Sequence, residues 1–448
     1  MKRYIVLLLL MCSYAGVVSA QTLTLDSSIH YAIERNKRIK EGHLKLHESE
    51  QVQKNAFTNF FPKISAQAVA IRSNTYLIKG EIPETNLPVY NGNPETLQNP
   101  TQFAYLPATG IGVLDYANAG MVAAIQPIYA GGRIRSGYQL ASLGTEVSEQ
   151  QLNLTTQEVV AKTEEYYWTL VSLEAKRKTL ASYDALLQSL LNDTQVAYDA
   201  GLAQKSDLLK VQLRLNEIRA NKLKLENGLT LATMALCQHI GIEYSESITL
   251  TDTTFTTVAP TMLHAPPDSA VVQRDEYALL NKAIKAELLQ KQLVRGEYLP
   301  QLAVGAQGLY LDMLDQQNTY GLAFATLSIP ITDWWGGAHK LREHDMKIAI
   351  ARNNLEEKSE LLRLQIEKAY NELIENHEQI QVAASSVEQT QEHLKVVRDN
   401  FQAGIMSTSD MLEAQAMHQE ARDALVDAKS MYQIRQVSYR KAIGQLEY

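Results

Sequence analysis

The charged side chains with the most suggestive surroundings lie in two phrases that match at five of ten positions. Residues 200–209 read AGLAQKSDLL and residues 403–412 read AGIMSTSDML. They are 203 residues apart and share Ala, Gly, Ser, Asp and Leu at the same places. A glycine followed at fixed spacing by Ser-Asp is the chemistry of a helix start. Gly201 and Gly404 suit a tight turn, because glycine accepts backbone angles that other residues do not. Ser206 and Ser409, or Thr408, are the expected caps, with hydroxyls that accept backbone N–H groups. Asp207 and Asp410 then fall in the first helical turn, where a negative charge complements the helix dipole. Glu413 follows three residues after Asp410.

Other chemistry is sparse. His43 and His47 are four apart on an expected helix, a spacing that can hold a metal ion. The residues between them are Leu44, Lys45 and Leu46, so the glutamate of an HExxH site is missing and an exposed pair is the simpler reading. His339 and His344 follow a Gly pair without a known ligand spacing. No phosphate-binding glycine loop and no nucleophile–base arrangement emerges. The chain therefore reads as a non-enzyme, with no cofactor and no resident metal.

The two phrases belong to a larger duplication. FFPKISAQ at 60–67 matches YLPQLAVG at 298–305, and IQPIYAGGRIR at 125–135 resembles SIPITDWWGGAHK at 328–340. Pro62 and Pro300 are 238 residues apart, whereas Pro127 and Pro330 are 203 apart, so the first half carries 35 extra residues between its prolines. The extra stretch, about 74–118, is rich in Pro, Asn and Gly and is expected to be a long surface loop. The boundaries follow: 1–20 a leader, 21–239 the first repeat, 240–266 a Thr-rich connector, 267–448 the second repeat.

Helices must position the phrases. Proline-free tracts run from about Arg133 to Tyr198 and from about Ala338 to Gln402, 66 and 65 residues. At 1.5 Å per residue each is roughly 100 Å long. Shorter helices are expected near 26–58, 206–239, 267–296 and 408–446, about half that length. Leu208, Val211, Leu215, Ile218, Leu225 and Leu229 form a heptad seam interrupted by Lys222. The seam in the second half runs through Met411, Ala414, His418, Ala421, Leu425, Ala428 and Tyr432.

Composition narrows the setting. Lys2 and Arg3, the apolar run Tyr4–Met11 and the small residues Val18-Ser19-Ala20 read as a secretory signal peptide ending before Gln21. Cys12 follows the bulky Met11 and no Cys directly follows the cleavage site, so lipid attachment is not expected. The formal net charge of −8 becomes −10 without the leader, which argues against nucleic-acid binding. One cysteine remains, Cys237, too few for an internal disulfide. No later stretch has the eighteen or so apolar residues of a membrane-spanning helix. Strand-like runs of about ten residues occur near 64–73, 118–128, 302–311 and 320–329. Ten residues is the length of a tilted membrane strand, yet small barrels need about eight strands and this chain offers four. Either the strands form soluble hairpins, as in a periplasmic coiled-coil adaptor or scaffold, or several chains share one barrel.

The duplicated helix–hairpin–helix plan, the Pro and Gly-Gly turns, the paired phrases and the leader resemble the TolC-like outer membrane efflux protein family, across essentially the whole mature chain. The resemblance implies a mainly α fold with a small β part. Long coiled-coil helices build an α-barrel, and four membrane strands per chain join a twelve-stranded β-barrel in a homotrimer. The 74–118 insertion would face outside the cell. Pro62, Pro127, Gly131, Gly132, Pro300, Pro330, Gly336 and Gly337 would turn the chain from sheet to helix. The paired phrases would be periplasmic tips. Asp410, Glu413 and Asp207 would form an acidic ring at the pore entrance, and Gly201, Leu202, Gly404 and Ile405 would contact a periplasmic adaptor. Partners implied are outer-membrane lipid, that adaptor and, through it, an inner-membrane pump of the RND or ABC type. The cargo implied is drugs, metal ions or secreted polypeptides. The tip departs from the family at Phe401 and Met406, where some members have a locking tyrosine and arginine. Lys205 and Lys210 dilute the acidity of the first tip and are expected to pair with a neighbour's carboxylates.

Overall fold

A computed structural model describes residues 22–90, 92, 94, 98, 100–112, 115–251, 255, 257–313 and 316–446. The expected leader at 1–20 lies outside them. The elements in chain order begin β1 (Thr22–Leu23), α1 (Leu25–Arg35), α2 (Lys37–Thr58) and β2 (Lys63–Arg72). Then follow β3 (Lys79–Ile82), β4 (Thr85–Pro88), β5 (Phe103–Leu106), β6 (Thr109–Gly112) and β7 (Tyr116–Ala130). Next are α3 (Arg133–Asp199), α4 (Lys205–Ile240), β8 (Thr249–Leu250), α5 (Pro260–Leu263), α6 (Pro267–Gln273) and α7 (Asp275–Glu297). The chain ends with β9 (Gln301–Met313), β10 (Gln316–Ser328), α8 (Asp333–Gln402) and α9 (Thr408–Ala442).

The chain divides into two compact units. One holds the chain up to Glu50, Leu143–Lys285 and the chain from Ala349 onward; the other holds Gln51–Ser142 and Ala286–Ile348.

The three larger hydrophobic clusters of the helical unit follow the duplication. Leu23, Ile39, Val159, Tyr167, Leu236 and Ile240 form the core of the first half. Val271, Ile366, Leu373, Tyr432, Tyr439 and Ile443 form that of the second. A third core joins both halves: Tyr183, Leu187 and Leu190 of α3, Val211, Leu215 and Ile218 of α4, and Leu394, Val397, Met411 and Ala414 of α8 and α9. The heptad seam of α4 is thus buried at Leu208, Val211, Leu215, Ile218 and Leu229, with Leu225 half-buried. Its partner seam buries Met411, Ala414, Ala421, Ala428 and Tyr432. Thr22–Leu23 pairs in parallel with Thr249–Leu250, so the connector carries a strand that ties down the start of the described chain.

Each expected shorter helix before a sheet is broken in two. The first is interrupted at Asn36 and the second at Arg274, where the backbone becomes extended. These positions are 238 residues apart, the same offset as Pro62 and Pro300. Each break is held by a buried polar side chain. Asn36 Nδ2 donates to the His239 carbonyl at 2.8 Å, and its Oδ1 accepts from the Arg38 N–H at 2.8 Å. Arg274 is clasped by Glu276 and donates to Gln365 Oε1 at 3.2 Å.

In the second unit one antiparallel sheet has the order β10–β9–β7–β2. Its register aligns Ala66, Val122, Gly308 and Gly321 in one row and Gln67, Met121, Leu309 and Tyr320 in the next. Adjacent rows point to opposite faces, so the small side chains of the first row and the larger ones of the second lie on different faces. Pro127 has no N–H to donate, and the ladder shifts register between Pro127 and Tyr129. The insertion is not a structureless loop. β3 pairs with β6 and β4 with β5, because Ile82, Leu87, Phe103, Tyr105 and Ile111 alternate with small or polar neighbours despite the Pro and Asn content.

Two positions give sharp tests of this architecture. Glu164 of α3 is 6 % exposed, beside the cluster of Val160, Val437 and Leu446. Burial pushes its carboxyl up to about 7, against the pull of Arg440 and with a smaller push from Asp26. The unfolded carboxyl ionises near its ordinary 4.5. Below that pH both states are protonated and the burial has no penalty. Stability falls as pH rises from about 4.5 to about 7, then levels off. Glu164→Gln is expected to raise the thermal unfolding midpoint at pH 8, by up to about 3 kcal/mol of stability, and to leave it unchanged at pH 4. The second position is Gly131, with φ +64° and a Cβ site that would overlap the Gly296 carbonyl oxygen. Gly132, with φ +81°, faces open space. Gly131→Ala should therefore lower the unfolding midpoint well beyond Gly132→Ala, which pays only the left-handed strain of about 1 kcal/mol; equal effects would show that the close approach to Gly296 is immaterial.

Candidate functional site

The two phrases fold into the same turn, atom for atom. The Gly201 N–H donates to the Tyr198 carbonyl at 2.9 Å and the Leu202 N–H to the Ala197 carbonyl at 2.8 Å. The Gly404 N–H donates to the Phe401 carbonyl at 3.0 Å and the Ile405 N–H to the Asn400 carbonyl at 2.9 Å. These crossed bonds are a Schellman ending, which needs a left-handed residue at its centre. Gly201 and Gly404 supply it, with φ of 76° and 75°. The turn throws the next side chain outward: Leu202 is 85 % exposed and Ile405 75 %.

The starts of the returning helices differ. At the second tip the cap is Ser407, not Thr408 or Ser409. Its backbone is extended (φ −85°, ψ 164°), and its Oγ accepts from the Asp410 N–H while Asp410 accepts from the Ser407 N–H at 2.8 Å. The Ser407 hydroxyl also donates to the Asp410 carboxylate at 2.7 Å. Three hydroxyl residues stand in a row, and only the one with the extended backbone reaches the N–H three residues on. At the first tip the equivalent residue is Gln204, which makes no side-chain cap, and Ser206 lies inside the helix. Asp207 and Asp410 both occupy first turns.

This difference sets the electrostatics. Hydrogen bonds from the Ser407 hydroxyl and backbone hold the exposed Asp410 carboxyl below the usual aspartate range, so it stays ionised. Asp207, released from capping, pairs with Lys210 at 3.4 Å. Lys210 Nζ also donates to Ser409 Oγ at 2.8 Å, tying the two tips of one chain together. Lys210 thus finds its partners within the chain. Glu413 is exposed and forms no ion pair among the described residues. Between the tips lies a cavity of about 810 Å³ lined by Asp193, Asp207, Arg398, Phe401, Met406 and Gln415, among others. Phe401 packs against the shared tip core. Gln415, 2 % exposed, leaves its Oε1 unpartnered there, a feature that its place beside the seam residue Ala414 did not signal.

The residues expected at the sheet-to-helix turns belong to the other unit. Pro62 and Pro300 immediately precede β2 and β9, Pro127 sits at the ladder shift of β7, and Gly131 and Gly132 make the left-handed turn into α3. Pro330 follows β10. Gly336 and Gly337 differ from the expectation: they lie within the first turns of α8, which begins at Asp333, and neither has a left-handed φ. Gly337 instead allows close packing, since a Cβ there would lie 2.8 Å from the Tyr298 ring. Trp334 Nε1 donates to the Tyr298 carbonyl at 2.9 Å at the same junction. Among the described residues no group of three or more His, Cys, Asp or Glu side chains is placed to hold a metal ion. No described helix is long and apolar enough to cross a membrane.

Comparison with known proteins places this geometry. The sequence matches the outer membrane efflux protein family over residues 28–242 and 274–445. It is 22 % identical over 301 residues to outer membrane protein TolC of Escherichia coli, covering 63 % of this chain and 60 % of that protein. It is 23 % identical over 327 residues to the alkaline protease secretion protein AprF of Pseudomonas aeruginosa, covering 68 % and 65 %. The chain thus spans under two thirds of the length of these curated relatives. Its fold superimposes on the Campylobacter jejuni CmeC outer membrane channel with a TM-score of 0.73 at 14 % identity, covering 95 % of this chain and 87 % of that one. The family match and the shared fold lead to one conclusion: the chain belongs to the outer membrane efflux protein family, whose place is the outer membrane.

Proposed function

We propose that the protein is the outer-membrane channel of an efflux or type I secretion system, a passive exit duct built as a homotrimer. The observation that carries this is the open sheet. β10 and β2 are edge strands without a further partner among the described residues, and β2 exposes all ten of its residues, among them Ile64, Val69 and Ile71. A soluble hairpin would not expose them, and a bilayer does not tolerate an unpaired edge. Pairing β10 of one copy with β2 of the next satisfies both edges, and three copies give twelve strands.

In such a ring the tips become an entrance. Three copies of Asp410, kept ionised by Ser407, together with Glu413 and Asp207, make acidic rings that favour cations. Lys210 offsets the charge of Asp207, so Asp410 dominates. Leu202 and Ile405 offer apolar contacts to the helical hairpins of a periplasmic adaptor, with glycine beside each to permit close backbone approach. The adaptor would connect the duct to an RND or ABC pump. Drugs, metal ions and secreted polypeptides remain the cargo classes; loss of the gene, scored for drug and metal susceptibility and for secreted proteins, separates them.

Reconstituted trimer is expected to form cation-preferring pores in planar bilayers. Asp410→Asn keeps the cap acceptor and removes the charge, so the cation-to-anion permeability ratio should fall severalfold while the thermal midpoint holds. A well-folded trimer that conducts no ions, with or without that substitution, would sink the duct. Leu202→Asp with Ile405→Asp should abolish co-purification of the adaptor and leave the trimer intact; retained adaptor would move the docking site elsewhere.

A further inference from the structure

The insertion between β2 and β7 carries a surface that the duct does not explain. Its two ladders keep one register: Lys79 lies opposite Gly112, Ile82 opposite Thr109, Thr85 opposite Leu106 and Pro88 opposite Phe103. They are a single two-stranded ribbon, interrupted where Pro83 and Pro107 remove backbone donors. Directly paired residues share a face, and faces alternate along a strand. One face therefore collects Ile82, Phe103, Tyr105 and Ile111, with Gly80, Asn86, Pro88 and Thr109. Both charged ladder residues, Lys79 and Glu81, lie on the other face, beside Leu87.

The first face is open to solvent: Phe103 is 56 % exposed and Tyr105 63 %. The carboxylate of Glu84, between the ladders, accepts a hydrogen bond from the Tyr105 hydroxyl at 2.8 Å. An isolated two-stranded ribbon is marginal in water and gains stability by packing an apolar face. A contiguous exposed apolar surface marks an interface.

We infer that this face packs against the same face of two other copies of the chain, so that three ribbons form a cap over the outer mouth of the channel. The inference rests on the trimeric reading above. Three observations select a second copy as the occupant. The ribbon is inserted between β2 and β7, and β2 is the edge that the trimeric reading has a neighbouring copy complete, so each ribbon is carried beside that interface. β9 and β10 are joined directly between Met313 and Gln316, so each copy supplies one ribbon, in keeping with threefold symmetry. The ladder residues of this face include no Lys or Arg to hold lipid phosphates or an acidic partner; the nearby Lys79 points the other way.

Single cysteines test the cap in the full-length protein in outer membranes, where buried Cys237 is the only other thiol of the mature chain. Native mass first establishes the trimer; a monomer would overturn the oligomeric reading itself and the cap with it. In trimers, Phe103→Cys and Tyr105→Cys should each be linked into dimers by a short bismaleimide, in at least half of the chains, and Lys79→Cys should not. Two positions guard against one variant misfolding. Trimers in which both cysteines stay unlinked and react freely with a membrane-impermeant maleimide would show a face open to an external partner. Protection from that reagent without linking would show a face lying on lipid. Either result overturns the cap. Replacing residues 79–112 by a two-residue turn should raise single-channel conductance severalfold, and an unchanged conductance counts against a cap.

Discussion

A strand at the edge of a sheet leaves half of its N–H and C=O groups unpaired, and hydrocarbon has no water to satisfy them. In this chain β2 and β10 are both such edges. Everything proposed for the protein answers that constraint. Joining edge to edge would be met by identical copies arranged in a ring. In that proposed ring two tips per chain would become a circle of tips, and a carboxylate that is an ordinary helix cap in one chain would become part of a charged constriction. Asp410 would then have two roles that do not compete. The hydrogen bonds from Ser407 that start α9 are the same ones that keep the carboxylate ionised.

Duplication lets one chain supply two like tips, and the halves differ in side chains where their backbones agree. The Schellman turns at Gly201 and Gly404 are the same, as are the helix breaks at Asn36 and Arg274. The side chains around them are not. Asn36 uses an amide to hold its break where Arg274 uses a guanidinium clasped by Glu276. Ser407 caps where Gln204 does not, which frees Asp207 to meet Lys210. The shared tip core then binds the unequal halves, with Phe401 packed on it in place of a hydrogen-bonding tyrosine.

Much of this was legible in the sequence. The long helices were visible because no proline interrupts them, and they are found at Arg133–Asp199 and Asp333–Gln402. The four main strands were visible as recurring alternation at duplicated places. The breaks at Asn36 and Arg274 were not, because neither carries a proline or glycine; they depend on side chains meeting His239 and Gln365 far along the chain. The cap was misplaced by one or two residues because Ser407, Thr408 and Ser409 are chemically alike and only backbone angles tell them apart. The ribbon was hidden by its Pro, Asn and Gly content, which reads as loop in any composition count. Glu164 left a signal that went unread: with Val160, Tyr167 and Val171 it occupies an apolar helical stripe, all four buried, and a carboxylate in such a stripe must be desolvated.

The ladder between β7 and β9 sets the order in which the chain can fold. Every helical hairpin, the β2–β7 pair and the β9–β10 pair close over neighbouring sequence. β7 meets β9 only after both halves exist, with Ala117 opposite Met313 and Ala130 opposite Gln301. Contacts so distant in sequence are the slow ones, because their loop-closure entropy must be met before the pairing gives anything back. The ladder that joins the two hairpins is thus slower to form than either hairpin. Until that ladder forms, the sheet is two separate hairpins, β2–β7 and β9–β10, with four unpaired edges instead of two.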